Sequence, residues 1–214
     1  MSNLNKRILT SFPLLIITIF AIYNNIILLL SLFIITSILI YEFLYILKSI
    51  FKKNKQKLFL FLTLFILYLC FFASQIYFFL LGEFENKQII FLFILSICIF
   101  TDIGGYIFGK ILKGKKLTSI SPNKTYAGMM GSFLCSLIIC MIFIIYFNFP
   151  ISLLIYTFFI SLVSQSGDLF ISYLKRKANI KDTGNFLPGH GGLLDRLDGI
   201  IFSIPIGIKI FIFF

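Results

Sequence analysis

The sequence predicts an all-α fold: a polytopic integral membrane helical bundle of about seven transmembrane helices with a cytoplasmic N-terminus. Three observations carry that expectation. The first is composition: of 214 residues, 59% are hydrophobic and 13% charged, with a mean hydropathy of +1.03. Too little polar surface remains for such a chain to fold as one water-soluble domain. The second is segmentation into apolar runs near the roughly 20 residues that a spanning helix needs. The third is charge placement. The 19 Lys and Arg outnumber the 8 Asp and Glu, and they lie in short loops between the apolar runs. No exposed face gathers them, which argues against nucleic acid as a partner.

The apolar runs are residues 8–23, 26–47, 58–81, 88–108, 126–147, 151–170 and 193–214. Lys6 and Arg7 resemble the charged start of a signal peptide, but no small-residue cleavage site follows, so the first run reads as a retained span. Asn24-Asn25 suits either a tight turn between the first two spans or a break in one long helix. Orientation follows from the basic residues, because positively charged short loops stay in the cytoplasm. With the N-terminus inside, seventeen Lys and Arg fall on the inner side, and Lys87 and Lys209 fall outside. There is no Gly/Ser-rich linker and no repeat. A single membrane domain, 1–214, is the simplest organisation. Cys70, Cys98, Cys135 and Cys140 sit in apolar runs without a CxxC spacing and read as small core residues. One histidine in the chain leaves little room for a zinc site.

Five of the eight acidic residues are aspartates of the later half: Asp102, Asp168, Asp182, Asp195 and Asp198. Asp102 and Asp168 lie near the ends of apolar spans, where an ionised carboxylate is costly unless it is paired, hydrated or metal-bound. Asp195 and Asp198 are one helical turn apart, and a divalent cation would relieve their repulsion. Such hard oxygen ligands suit Mg²⁺, which takes one or two carboxylates together with substrate phosphates. The plainer reading is an exposed helix start, with Arg196 offsetting the charge.

Three further elements could hold phosphate. Ser121-Pro122-Asn123-Lys124-Thr125 precedes a span, and a helix N-terminus there would offer backbone N–H groups to an anion. It reads equally as a capped helix start. Lys175-Arg176-Lys177 with Lys181 follows Asp168 by two turns; as a charge run alone it is an anchor for anionic headgroups. Leu187-Pro188-Gly189-His190-Gly191-Gly192 surrounds the one histidine with glycines, which let backbone approach a ligand closely. Asp102-Ile103-Gly104-Gly105 with Gly109 contains a GxxxG, more often a helix-packing device.

Three strings, Ser172-Tyr173-Leu174-Lys175-Arg176, Lys181-Asp182-Thr183-Gly184, and the run from Leu187 through Asp195-Arg196-Leu197-Asp198, together resemble the signature of the phosphatidate cytidylyltransferases, the CDP-diacylglycerol synthases. Residues 102–110, 121–125 and Gly167-Asp168-Leu169 follow the family's order. The resemblance covers roughly residues 96–210, the catalytic part, while residues 1–90 match only as generic spans. Ile171 stands where members commonly carry Glu, and Ala127 where an acidic or amide residue is frequent.

The resemblance implies condensation of CTP with phosphatidic acid to CDP-diacylglycerol and pyrophosphate. Asp168, Asp195 and Asp198 would hold Mg²⁺, and Asp102 would assist or orient. Lys124, Lys175, Arg176, Lys181 and Arg196 would grip phosphates. Ser121, Pro122, Thr125, Asp182, His190, Gly191 and Gly192 would shape the substrate pocket. The lipid would enter sideways from the membrane, the bacterial inner membrane being the expected location, with the site on its cytoplasmic side. Membrane lipids are thus the expected surroundings, and pairing into a homodimer is left open. Three alternatives compete: a CTP-dependent membrane lipid kinase, a cation transporter, and an inactive lipid-binding relative.

Overall fold

The computed structural model describes residues 3–118, 121, 124–184, 186 and 191–213, with side chains between residues 13 and 212 of these. Eight helices occur among them: α1 (Asn3–Tyr23), α2 (Asn25–Ile50), α3 (Lys55–Leu81), α4 (Lys87–Leu112), α5 (Tyr126–Phe147), α6 (Leu153–Lys177), α7 (Leu194–Leu197) and α8 (Ile200–Phe213). No strand occurs among the described residues; an antiparallel bridge joins Lys116 to Thr125. Helices α2 to α6 are 22 to 27 residues long and apolar enough to cross a membrane. At about 1.5 Å per residue each exceeds the ~30 Å hydrocarbon layer.

Side chains fix where the helices begin. A single extended residue, Asn24, separates α1 from α2, and its Oδ1 accepts from the N–H groups of Ile26 (3.0 Å) and Ile27 (3.2 Å). Asn54 caps α3 through Lys57 N–H (3.0 Å), and Thr125 caps α5 through Gly128 N–H (3.1 Å). These caps satisfy amides that would otherwise lack partners at a helix start. The expected last span, 193–214, is corrected: a turn at Asp198-Gly199 divides it into α7 and α8. The 14 residues of α8 reach about 21 Å.

The chain forms two compact units. The first comprises residues 1–88 and 174–197. In it α1, α3 and α7 all contact α2. Leu39, Phe43, Ile46 and Leu47 of α2 are buried with Leu69, Phe72 and Ile76 of α3, and the Phe43 and Phe65 rings stack with centroids 3.8 Å apart. The second unit comprises residues 89–173 and 198–214. Its helices are held together as much by small and hydroxylated residues as by apolar ones. Thr101 Oγ1 donates to Ser161 Oγ (2.9 Å), Ser132 Oγ donates to the Thr101 carbonyl (2.7 Å), and Cys98 meets Ser203 (3.1 Å). Lipid is as apolar as leucine, so close approach and hydroxyl bonds replace hydrophobic burial as the glue between spanning helices. Large apolar side chains such as Ile26, Phe33, Leu67 and Ile145 point outward, as a hydrocarbon surrounding requires. Cys98 and Cys140 are buried as expected, whereas Cys70 is exposed.

Candidate active site

In the second unit, two aspartates that are thirty residues apart in sequence come together. Asp168 lies on α6 and Asp198 in the turn before α8, and they share a hydrogen bond. Glycine beside each explains the approach. A Cβ at Gly167 would stand 2.7 Å from the Asp198 carbonyl oxygen, and one at Gly199 would stand 2.8 Å from the Ser164 carbonyl oxygen. Both distances are shorter than non-bonded atoms tolerate, so Gly167-Asp168 and Asp198-Gly199 bring two backbones into contact and two carboxyls with them.

Asp198 is 6% exposed, and Gly199 N–H donates to its Oδ1 (2.9 Å). Burial, followed by the charge and hydrogen bond of Asp168 and then the charge of Asp102, pushes its carboxyl up to about 9. A pair sharing one proton is the state that two crowded carboxyls adopt when no cation balances them. Asp168 also forms an ion pair with Lys124 and accepts from Ser172 Oγ (3.3 Å). Asp102, an exposed residue of α4, lies near enough for its charge to act on Asp198.

The segment carrying Lys124 is a hairpin. Leu117 N–H donates to the Lys124 carbonyl (2.8 Å), Tyr126 N–H to the Lys115 carbonyl (3.1 Å), and Lys124 N–H to the Ser121 carbonyl (3.0 Å). Thr125 serves as the α5 cap, the plainer of its two expected readings, and the Ser121 carbonyl holds the Lys124 N–H. Pro122 lies outside the described residues.

In the first unit, Asp195 is bound on both oxygens. Oδ1 accepts from Lys175 Nζ at 2.6 Å, an ion pair with side chains 15% and 9% exposed. Oδ2 accepts from Thr183 N–H (2.8 Å) and Gly192 N–H (3.1 Å) and lies 3.0 Å from Thr183 Oγ1. Gly191 adopts φ +83, a left-handed conformation natural to glycine, and its Cα faces Asp195 Oδ2 and Asp182. Arg176, Lys181, Asp182 and Arg196 are exposed on the same unit. His190, with residues 187–189, lies outside the described residues.

One site residue escaped the sequence reading. Glu42 of α2 is fully buried and accepts from Leu193 N–H (2.8 Å) on Oε1, and from Leu194 N–H (2.7 Å) and Thr183 Oγ1 (2.9 Å) on Oε2. Its signal was a carboxylate in the apolar run Tyr41-Glu42-Phe43, the same costly placement that drew attention to Asp102 and Asp168.

The donor chemistry of the aspartate pair fits Mg²⁺. Among the described residues no group of three or more His, Cys, Asp or Glu could enclose a metal. Magnesium needs no such cage, since it keeps waters and takes one or two carboxylates with substrate phosphates.

The model of the Cytidylyltransferase family matches residues 2–214. A phosphatidate cytidylyltransferase of Staphylococcus saprophyticus is 46% identical over 110 residues, covering 50% of this chain and 42% of that protein. One of Staphylococcus haemolyticus is 48% identical over the same length, again 42% of that protein. One of Rickettsia typhi is 42% identical over 149 residues, 63% of this chain and 64% of that protein. The matched stretches thus span less than two thirds of these curated relatives.

Proposed function

The chain belongs to the cytidylyltransferase family, and on that premise we propose that it is a CTP:phosphatidate cytidylyltransferase, condensing CTP with phosphatidic acid to CDP-diacylglycerol and pyrophosphate in phospholipid synthesis. The observation that carries this reading is the Asp168–Asp198 pair with Lys124 bound to Asp168. In the reaction an anionic phosphatidate oxygen attacks the α-phosphorus of CTP, and the bond from that phosphorus to the oxygen bridging the β-phosphate breaks. The nucleophile needs little deprotonation, so the barrier is mainly repulsion between anions.

Asp168 and Asp198 would hold Mg²⁺, which when bound supplies positive charge against that repulsion. Holding the cation would require Asp198 to lose its proton. Lys124, which pairs with Asp168 here, would then be available to a phosphate. Asp195, the third expected ligand, already accepts on both oxygens within its own unit, so the reading gives it the task of fixing Lys175 and the loop through Gly192. Lys175, Arg176, Lys181 and Arg196 supply further positive charge for phosphates, and Asp102 keeps an orienting role.

For topology, the proposal adds α1 to the five membrane-length helices, making six full crossings with the N-terminus inside, while the seventh expected span is reduced to α8, whose 14 residues reach only part of the way across. The basic loops then face the cytoplasm, where CTP is, and the lipid reaches the site from the bilayer of the bacterial inner membrane.

The test is an assay of the purified chain in detergent with phosphatidic acid, Mg²⁺ and CTP labelled at the α-phosphate. Label passing to the lipid with release of pyrophosphate supports the reading. Label remaining water-soluble while the terminal phosphate passes to a lipid alcohol would replace it with a lipid kinase.

A further inference from the structure

The Glu42 carboxylate is the most costly polar group in the described part of α2. It is fully buried, about 12 Å before the end of a helix long enough to span the membrane. Such a residue persists where its partners require it. The partners here are two backbone amides and a hydroxyl, all from the segment 183–194. They join two stretches that otherwise share little regular structure: Thr183 on one side of the glycine-rich loop, and Leu193 and Leu194 on the other.

We infer that Glu42 is a positioning residue for the proposed reaction: its carboxylate clasps both ends of the glycine-rich loop and so sets Asp195, and through it Lys175. The inference rests on the cytidylyltransferase reading for the meaning of "reaction", and on geometry for the clasp. Thr183 Oγ1 lies 2.9 Å from Glu42 Oε2 and 3.0 Å from Asp195 Oδ2, so one hydroxyl, with a single proton to share between them, sits between the two carboxylates. Thr183 N–H and Gly192 N–H then hold Asp195 Oδ2 while Lys175 takes Oδ1.

Two glycines of the loop are explained by the same side chain. A Cβ at Gly192 would stand 2.6 Å from Glu42 Oε2, and a Cβ at Gly184 would stand 3.0 Å from Glu42 Oε1. A side chain at Gly192 is excluded by the Glu42 carboxylate and, closer still, by Thr183 Oγ1, while one at Gly184 would need the carboxylate to give by a few tenths of an ångström. These glycines therefore serve the clasp from α2, in addition to any approach to substrate.

Gln at position 42 separates charge and acceptor number from shape. Both oxygens of Glu42 face backbone N–H groups, whereas an amide has one acceptor oxygen and an NH₂ that would oppose an N–H in either orientation. The experiment compares the purified full chain with Glu42→Gln, Asp195→Asn and Leu32→Ala, the last a buried α2 position outside the site. CTP turnover with phosphatidic acid and Mg²⁺ is measured beside the thermal midpoint. Misplacement of about an ångström lowers kcat by roughly tenfold to a hundredfold, so Glu42→Gln should lose that much while remaining at least as heat-stable as Leu32→Ala. Asp195→Asn should cost little more in the Glu42→Gln background, but keep its full cost beside Leu32→Ala, because groups that act as a unit are not additive.

Backbone hydrogen exchange at Leu193 and Leu194 should quicken in Glu42→Gln. Thr183→Val, which deletes the linking hydroxyl, should show the same pattern and stands in if Glu42→Gln fails to fold. Independent effects of Glu42 and Asp195, or turnover equal to that of Leu32→Ala, would overturn the inference. So would unchanged exchange at the two amides, whether or not the parent protein turns over. An inactive parent with quickened exchange would instead sink the proposed reaction and keep the clasp.

Discussion

Gly199→Ala tests whether close backbone approach creates the aspartate pair. The new Cβ would stand 2.5 Å from Ser164 Oγ and 2.8 Å from the Ser164 carbonyl oxygen. The hydroxyl can turn away, but the carbonyl belongs to the backbone of α6. Reaching an ordinary contact of about 3.4 Å therefore requires the Asp198-Gly199 turn to withdraw by about 0.6 Å. Overpacking of this kind costs about 1–3 kcal/mol. Since Asp198 moves with the turn, its hydrogen bond to Asp168 lengthens, and roughly a tenfold loss of CTP turnover is expected beside the stability loss. Ser164 Oγ is buried without a hydrogen-bond partner among the described residues, so Ser164→Ala alone should be neutral or stabilising. The double variant should recover part of the midpoint and less of the activity, because the carbonyl conflict remains. Thermal unfolding and pyrophosphate release on the same preparations decide the matter. A parent-like Gly199→Ala, or full recovery of both properties in the double variant, would refute the backbone argument.

Other outcomes follow from the same geometry. The Asp198 carboxyl lies far above its ordinary range, so the folded protein binds more protons than the unfolded chain between about pH 4 and pH 9. Without divalent cations the thermal midpoint should fall as pH rises through that window, and Asp198→Asn should flatten the slope. Mg²⁺ should bind more tightly at pH 8 than at pH 6 and release a proton, which calorimetry in buffers of different ionisation enthalpy would detect. Lys175→Met leaves Asp195 Oδ1 without its cation in a site of low exposure, so a loss of about 3–5 kcal/mol is expected from denaturation in mild detergent. Lys124→Met removes the cation that competes for Asp168, so Mg²⁺ should bind at least as tightly as in the parent, whereas Asp168→Asn should weaken it, measured by the same calorimetry.

Much of this arrangement was legible in the sequence because lipid restricts what a chain can do. Apolar runs gave the long helices, and the cost of a carboxylate in such a run pointed to Asp168 and Asp102. The break at Asp198-Gly199 was not legible: hydropathy runs unbroken from Ile200 onward, and nothing in periodicity shows that Gly199 must meet Ser164 on another helix. The surroundings of Asp195 were not legible for a similar reason. Its spacing from Asp198 suggested a shared cation, but the donors on its oxygens come from Thr183 and Lys175, twelve and twenty residues earlier. Glu42 obeys the same rule as Asp168, but it stands alone in an apolar run, and its partners lie 141 to 152 residues away in the chain.

Stability and chemistry are hard to separate in this chain, and the reason is physical. Between spanning helices the hydrophobic effect offers little preference, so specific contacts must fix the geometry. In the second unit Gly167 and Gly199 fix it by letting backbones touch; in the first Glu42 fixes it by accepting from three donors. Each device holds an aspartate of the proposed site in place, and each would also lower stability if lost. A fall in activity after substitution at these positions is therefore uninformative alone. What distinguishes a positioning role is the pattern: activity lost beyond that of an equally destabilised control, and lost non-additively with the aspartate being held. Asp168 and Asp195 should each show that pattern with the partner in its own unit, Gly199 for the first and Glu42 for the second.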